Sequence, residues 1–208
     1  MNKEKILEAL KKLAEKNKER KFVQSTDLII NLKNFDAKKE SVNLFLELPY
    51  KVKDAKIAGF LNKKSSIIDT ITKQEFDDYK NKRKLKNLVK NYDFFISNAS
   101  LMPLVAGTFG RYLGPAGKMP SPQLGILKEE SEEEIVSIMK KFEKIIRIKS
   151  KEPSLKFSIG KENMKDGEIA ENILTAYNSI LNVLPRKKEN IRNIMIKFSM
   201  TKPIKIEF

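Results

Sequence analysis

The sequence predicts two domains of mixed α and β structure: a discontinuous α+β domain made from both chain ends, and a parallel α/β unit inserted between them. Three observations predict this. Stretches near both ends alternate apolar and polar residues, as half-buried antiparallel strands do. The middle carries short, nearly continuous apolar runs, as strands covered on both faces do. Helix-period segments lie between those runs, giving strand–helix alternation. The expected boundaries place residues 1–60 and 152–208 in the outer domain and 61–151 in the inserted one.

Along the chain, residues 2–19 put Ile6, Leu7, Leu10, Leu13 and Ala14 on one helical face. Leu28, Ile30 and Leu32 then alternate with Asp27, Asn31 and Lys33, and Val42, Leu44, Leu46 and Leu48 repeat the pattern. The texture changes near residue 56, where KIAGF and later DFFIS read as covered strands. Between them Thr72 and Glu75 have capping-box spacing and are expected to start one long, very basic helix. Ser131 and Glu134 repeat that spacing, and Ile135, Ile138, Met139, Phe142 and Ile146 mark an amphipathic helix. Alternation returns with Leu155, Phe157 and Ile159. A helix follows with Ile169, Ile173, Ala176, Tyr177, Ile180 and Leu184 in phase, ended by Pro185. NIMIKFS and PIKIEF are two more alternating strands, joined across Met200 to Lys202.

Composition narrows the function. Hydrophobic residues make up 40% of the 208, enough for a proper core. Lys and Arg total 42 against 27 acids, a formal charge of +15 that suits a polyanionic partner such as nucleic acid. With no Cys there are no disulfides or thiolate metal sites, and with no His the usual general base near neutral pH is missing. The first residues hold no uninterrupted apolar core, so no signal peptide is expected. No run approaches the roughly 18 apolar residues of a membrane span. A soluble, cytoplasmic protein with no metal or cofactor is expected.

Four segments are candidate sites. GTFGRYLGPAGKMPSPQLG, residues 107–125, is rich in Gly and Pro. It fails the Walker template, with Tyr112 where the first Gly belongs and Met119 after Lys118, and it fails the dinucleotide fingerprint at Tyr112 too. It reads either as a Pro-stiffened connection from a helix near residues 101–112 to the next element or as an anion contact through Arg111 and Lys118. The basic helix carries Lys80, Lys82, Arg83, Lys84, Lys86 and Lys90, which form either a solvated face or a nucleic-acid surface. KFVQSTD brings Phe22, Gln24, Ser25 and Asp27 to a strand entrance, alone no more than a polar turn with one aromatic. Ser199, Met200 and Thr201 form a hairpin tip, where a Met has no core to fill.

FISNASLMPLVAGTFGRYLGPAGKMPSPQLG resembles the large-subunit ribosomal protein L-one family, the stalk protein, in its archaeal form. Leu113, Gly114, Pro115, Gly117, Met119 and Pro120 match the family's Leu-Gly-Pro-x-Gly-x-Met-Pro run. RKFVQSTDLIINLK and IMIKFSMTKP extend the likeness over the whole chain, in the right order. The resemblance implies a split two-layer α+β outer domain hinged to an inserted three-layer, Rossmann-like α/β domain. It implies binding to large-subunit ribosomal RNA, a place in the mobile stalk by the exit site for deacylated tRNA, and repression of the protein's own messenger. A monomer when free is expected.

By the same resemblance the main RNA surface lies on the outer domain, at Phe22, Ser25 and Asp27, with Ser199, Met200 and Thr201, and with Lys156 as a further contact. Arg111, Lys118, Lys84 and Lys86 are candidates for a secondary RNA or tRNA contact. Two departures stand out. The family commonly runs Met-Gly-Pro where this chain has Met200-Thr201-Lys202-Pro203, and it commonly carries a cation at Ala116. Two rival readings remain: a nucleotide-dependent α/β enzyme, and a general single-strand RNA binder stacking bases on Phe45, Phe157 or Phe198, of which Phe157 and Phe198 fall on expected buried faces.

Overall fold

The computed structural model describes residues 2–18, 20–35, 42–122, 125–127, 130–150 and 152–207, with the backbone alone at 80, 149 and 150. The chain forms two compact units, Met1–Lys53 with Lys144–Phe208, and Asp54–Glu143. The outer unit opens with α1 (Lys3–Glu15), β1 (Ser25–Leu32) and β2 (Val42–Glu47). The inserted unit follows as β3 (Ile57–Phe60), β4 (Asp69–Ile71), α2 (Lys82–Asn91), β5 (Phe94–Asn98), α3 (Met102–Ala116), β6 (Ile126–Leu127) and α4 (Glu132–Lys144). The chain then returns to the outer unit with β7 (Ile145–Ser150), β8 (Ser154–Lys161), α5 (Asp166–Val183), β9 (Ile191–Phe198) and β10 (Ile204–Ile206).

In the outer unit four strands form an antiparallel sheet in the order β10-β9-β1-β8. Alternation puts Leu28, Ile30, Leu155, Ile159, Ile194 and Ile196 on one face, all fully buried. Helices α1 and α5 cover that face with Ile6, Leu10, Leu13, Ile169, Ile173, Ala176 and Ile180, making one core and two layers. Each such side chain contributes about 1.5–3 kcal/mol by leaving water. Asn2 caps α1 by accepting from the Glu4 N–H. On α1 the buried face takes Ala9 rather than Ala14, which is exposed. Asn172, buried inside α5, donates to the Ile159 carbonyl at 2.9 Å and accepts the Tyr50 N–H at 3.1 Å, tying the loop after β2 to the sheet. β2 pairs with β7, not with β1, as a separate two-stranded ribbon.

In the inserted unit the sheet is wholly parallel, in the order β4-β3-β5-β6. Ala58, Phe60, Ile71 and Phe95 face α2 and α3 through Leu85, Leu88, Val105, Phe109 and Leu113. Ile57, Leu61, Ile68, Ile96 and Leu127 face α4 through Ile135 and Phe142. Two covered faces make three layers, and they explain why these strands read as continuous apolar runs. Phe60 stacks on Phe95 at 5.6 Å between ring centroids and meets Phe109 at 4.7 Å. A Cβ at Gly59 would lie 2.7 Å from Ile68 Cδ1, so any larger residue there would displace the end of the Ile68 side chain.

The structure moves both expected boundaries. Residues 57–60, assigned by sequence to the outer domain, form the central strand of the inserted sheet. Residues 145–150, assigned to the inserted domain, pair antiparallel with β2 in the outer unit. Ile146 stands four residues after Phe142 and so mimics a helical position, but it sits in β7. The single basic helix is also two pieces. The Thr72–Glu75 capping box opens a 3-10 segment, Lys73–Lys80. Asn81 then turns extended (φ −74°, ψ 119°), and its side chain accepts the Arg83 N–H at 2.9 Å to start α2 afresh.

Candidate nucleic-acid interface

β1 enters the sheet from the segment that carries Phe22 and Val23, and β9 leaves it into the turn that carries Met200. The two segments meet because β1 and β9 pair antiparallel, setting Thr26 opposite Phe198. One rung further, Ser199 N–H donates to the Ser25 carbonyl at 3.1 Å, and the two Ser hydroxyls lie 2.9 Å apart. Thr201 closes the turn: its N–H donates to the Phe198 carbonyl at 3.1 Å and its hydroxyl accepts the Phe198 N–H at 2.9 Å. Three apolar side chains stand out into solvent at this end: Phe22 (53% exposed), Val23 (58%) and Met200 (61%). Their grouping at one end makes this tip the candidate contact surface.

Beneath them runs a relay of hydrogen bonds. Glu162 accepts from the Asn17 side-chain amide and from the Gln24 N–H, 3.2 Å away. The Gln24 amide donates to Asn17 Oδ1 at 2.8 Å, and its carbonyl oxygen accepts the Met200 N–H at 3.1 Å. Gln24 is fully buried, so the relay fixes the turn that presents Met200. Cations rim this end. Lys16, Lys18, Arg20 and Lys202 line a cavity of about 310 Å³ with Asn17, Met200 and Thr201. Arg20, Lys21, Phe22 and Val23 line another of about 450 Å³ with Glu162 and Asn163.

Asp27 and Lys156 lie on the sheet face opposite the helices, where Asp27 is flanked by Lys197 and Ser158 and Lys156 opposes Ile29. Burial pushes the Asp27 carboxyl up, and the Lys197 charge partly offsets it. Of the seven outer-unit residues singled out in the sequence, Phe22, Ser25, Ser199, Met200 and Thr201 meet at the tip, while Asp27 and Lys156 lie further along the open face of the sheet. The sequence reading did not assign Asn17, Glu162, Lys16, Lys18, Arg20 or Lys202. One signal was present. Gln24 and Thr26 continue upstream the buried phase of Leu28, Ile30 and Leu32, and a polar residue in a buried phase needs partners.

The other four candidates lie in the inserted unit. Lys84, Lys86 and Arg111 are exposed on α2 and α3. Lys118 is not free for an anion: its ammonium donates to the Val89 and Tyr92 carbonyls, both at 2.7 Å, at the end of α2. The Gly-rich motif is less of a loop than expected. Residues through Ala116 belong to α3, and Gly117 (φ 69°, ψ 26°) ends it in a left-handed cap, with Lys118 N–H returning to the Leu113 carbonyl at 2.9 Å. Gly-rich phosphate loops work by aiming backbone N–H groups from the positive N-terminal end of a helix, and this motif sits at the negative end.

Nor does the inserted sheet leave a nucleotide site at its switch point, between the carboxyl ends of β3 and β5. Glu130 fills that crevice, accepting from the Asn62 N–H (2.9 Å) and side-chain amide (2.8 Å), the Lys63 N–H (3.2 Å) and the Asn98 amide (2.7 Å). Burial raises the Glu130 carboxyl, but these donors outweigh it and hold the carboxyl below its usual range. A cavity of about 540 Å³ beside β4 is lined by Asp69, Glu75 and Asp78 against the cation Lys84, a poor setting for a polyanion. Among the described residues no group of acids could hold a metal ion, and no helix is long and apolar enough to cross a membrane. A base-stacking platform is also lacking where expected, since Phe157 and Phe198 are buried in the core and Phe45 is half-covered beneath the Arg147 guanidinium, 5.4 Å from its ring centre.

Comparison with known proteins agrees. The chain is 34% identical over 217 residues to the large ribosomal subunit protein uL1 of Pyrococcus horikoshii, covering 99% of this chain and 97% of that protein. It is 33% identical to the protein of the same name from Thermococcus kodakarensis (99% and 98% covered). For the one from Methanocaldococcus jannaschii the figures are 34%, 100% and 97%. These relatives are named as ribosomal proteins, which removes the enzyme reading. The model of the ribosomal protein L1p/L10e family matches residues 10–202, nearly the whole chain, and the chain belongs to that family.

Proposed function

We propose that this chain is a structural protein of the large ribosomal subunit, associated with the ribosome in the cytoplasm, and that it grips large-subunit ribosomal RNA with the strand-end tip of its outer unit. The observation that carries the reading is the tip itself. Exposed Phe22, Val23 and Met200 are held on a bonded backbone frame and ringed by cations. Structured RNA is recognised by shape, phosphates and 2′-hydroxyls. The apolar side chains suit sugars and bases, the Ser25–Ser199 pair suits 2′-hydroxyls, and the rim suits phosphates. The same reading places the chain in the mobile stalk by the exit site, assisting release of deacylated tRNA. Recognition of a similar RNA fold on its own messenger supplies translational repression. Lys84, Lys86 and Arg111 on the inserted unit are the secondary RNA or tRNA contacts.

Filter-binding titrations across a salt series test this, with stalk RNA and a scrambled hairpin. Ser199→Ala removes one hydroxyl and no charge, so it costs about 1 kcal/mol of cognate affinity with the salt slope unchanged. Met200→Asp loses packing and sets an acid against phosphate, so it costs more. If both variants stay folded and keep full cognate affinity, the tip is only a turn.

A further inference from the structure

We infer that the cavity walled by Lys16, Lys18, Arg20 and Lys202 is a receptor for one phosphate group of the RNA backbone, seated beside Met200; this rests on the RNA reading above. The cations reach it from two distant parts of the chain. Lys16 caps the end of α1, and the chain continues through Lys18 and Arg20 toward the tip. Lys202 arrives from the turn between β9 and β10. At about 310 Å³ the cavity has ample room for a phosphate and its bound waters.

Charge decides what it takes. Among the described residues none of the four cations is in an ion pair. Among the described residues, the acid Glu162 of the adjoining cavity is already bonded through both oxygens to Asn17 and Gln24. The negative end of α1 offsets part of the charge, but a helix terminus carries only about half an elementary charge against four. Four like charges around one concavity favour an anion between them, and Lys and Arg bind phosphate through short, charge-assisted hydrogen bonds. The walls are also set in advance. Asn17 is held by Glu162 and Gln24, and the Met200 N–H by Gln24, so the backbone that presents the cations is fixed in advance.

Two measurements on the full chain test the pocket. In a salt series with stalk RNA, replacing all four cations by Ala lowers the slope of log affinity against log salt by about 0.7–0.9, the release expected for one phosphate. Four separate phosphate contacts would lower it by about 3. In the absence of RNA, inorganic phosphate shifts the Met200 methyl resonance to saturation, and Lys202→Ala weakens that binding about tenfold, as loss of one charge-assisted bond should. A slope that is unchanged or falls by about 3, or a phosphate titration without saturation, overturns the pocket. Failure of the wild-type protein to bind stalk RNA would overturn the RNA reading and RNA as the source of the phosphate, while the phosphate titration, which needs no RNA, would still decide whether the pocket holds an anion.

Discussion

Thr26 and Gln24 show how two neighbouring polar residues in the same buried phase of β1 have different consequences. Gln24 has hydrogen bonds at its backbone N–H, its amide and its carbonyl oxygen, and through them it sets the tip. Thr26 Oγ1 is buried with no hydrogen-bond partner among the described residues. An unmet buried polar group costs about 1–3 kcal/mol. Thr26→Val keeps the shape and removes the hydroxyl, so the outer unit should gain about 1 kcal/mol, read as a higher urea midpoint at unchanged slope. A lower midpoint would show that the hydroxyl is satisfied. At this scale the sequence was legible where a side chain's role follows from its type and phase, as for Leu28 or Ile30. It was illegible where the role depends on what lies across the fold. Lys118 reads as an anion ligand in a Gly-rich stretch, yet it binds carbonyls of α2 that no local pattern brings near it.

Among the elements, α3 departs furthest from its sequence. Gly114 and Pro115 suggest a loop, and both are helical. Packing outweighs propensity here, because Val105, Phe109 and Leu113 recur at helical spacing and are fully buried against the sheet. A Cβ added at Gly110 meets nothing within 4 Å, whereas Gly117 has a φ of 69°. The two glycines should therefore respond in opposite directions. Gly110→Ala should stabilise the inserted unit by about 0.5–1 kcal/mol, and Gly117→Ala should destabilise it by about 1 kcal/mol through the left-handed penalty. Thermal melts of both variants check this, and a matching sign for the two would contradict it. Strands β4 and β6 escaped the sequence reading for a related reason. At three and two residues they are too short to show a period, and only pairing with β3 and β5 defines them.

Across the whole molecule the division into a split outer unit and an insertion was legible because the two environments leave different patterns. A sheet with one covered face alternates, and a sheet with two covered faces does not. The boundaries were less legible, since Ile57–Phe60 and Ile145–Ser150 lie where one style gives way to the other and both styles are apolar there. The candidate interface was legible in its apolar and hydroxyl residues, at Phe22, Ser25, Ser199 and Met200, through their likeness to the family's motifs. Its cation rim and buried relay were not, because they join the end of α1, the entrance of β1, the end of β8 and the β9–β10 turn. The central claim is that RNA is held at that junction. The most direct measurement is to add a stalk ribosomal RNA fragment to the isotope-labelled full chain and map which backbone amide resonances move. The account predicts the largest shifts at residues 16–25 and 199–202, with small ones across 54–143. Large shifts confined to 54–143, with the tip unmoved, would contradict it.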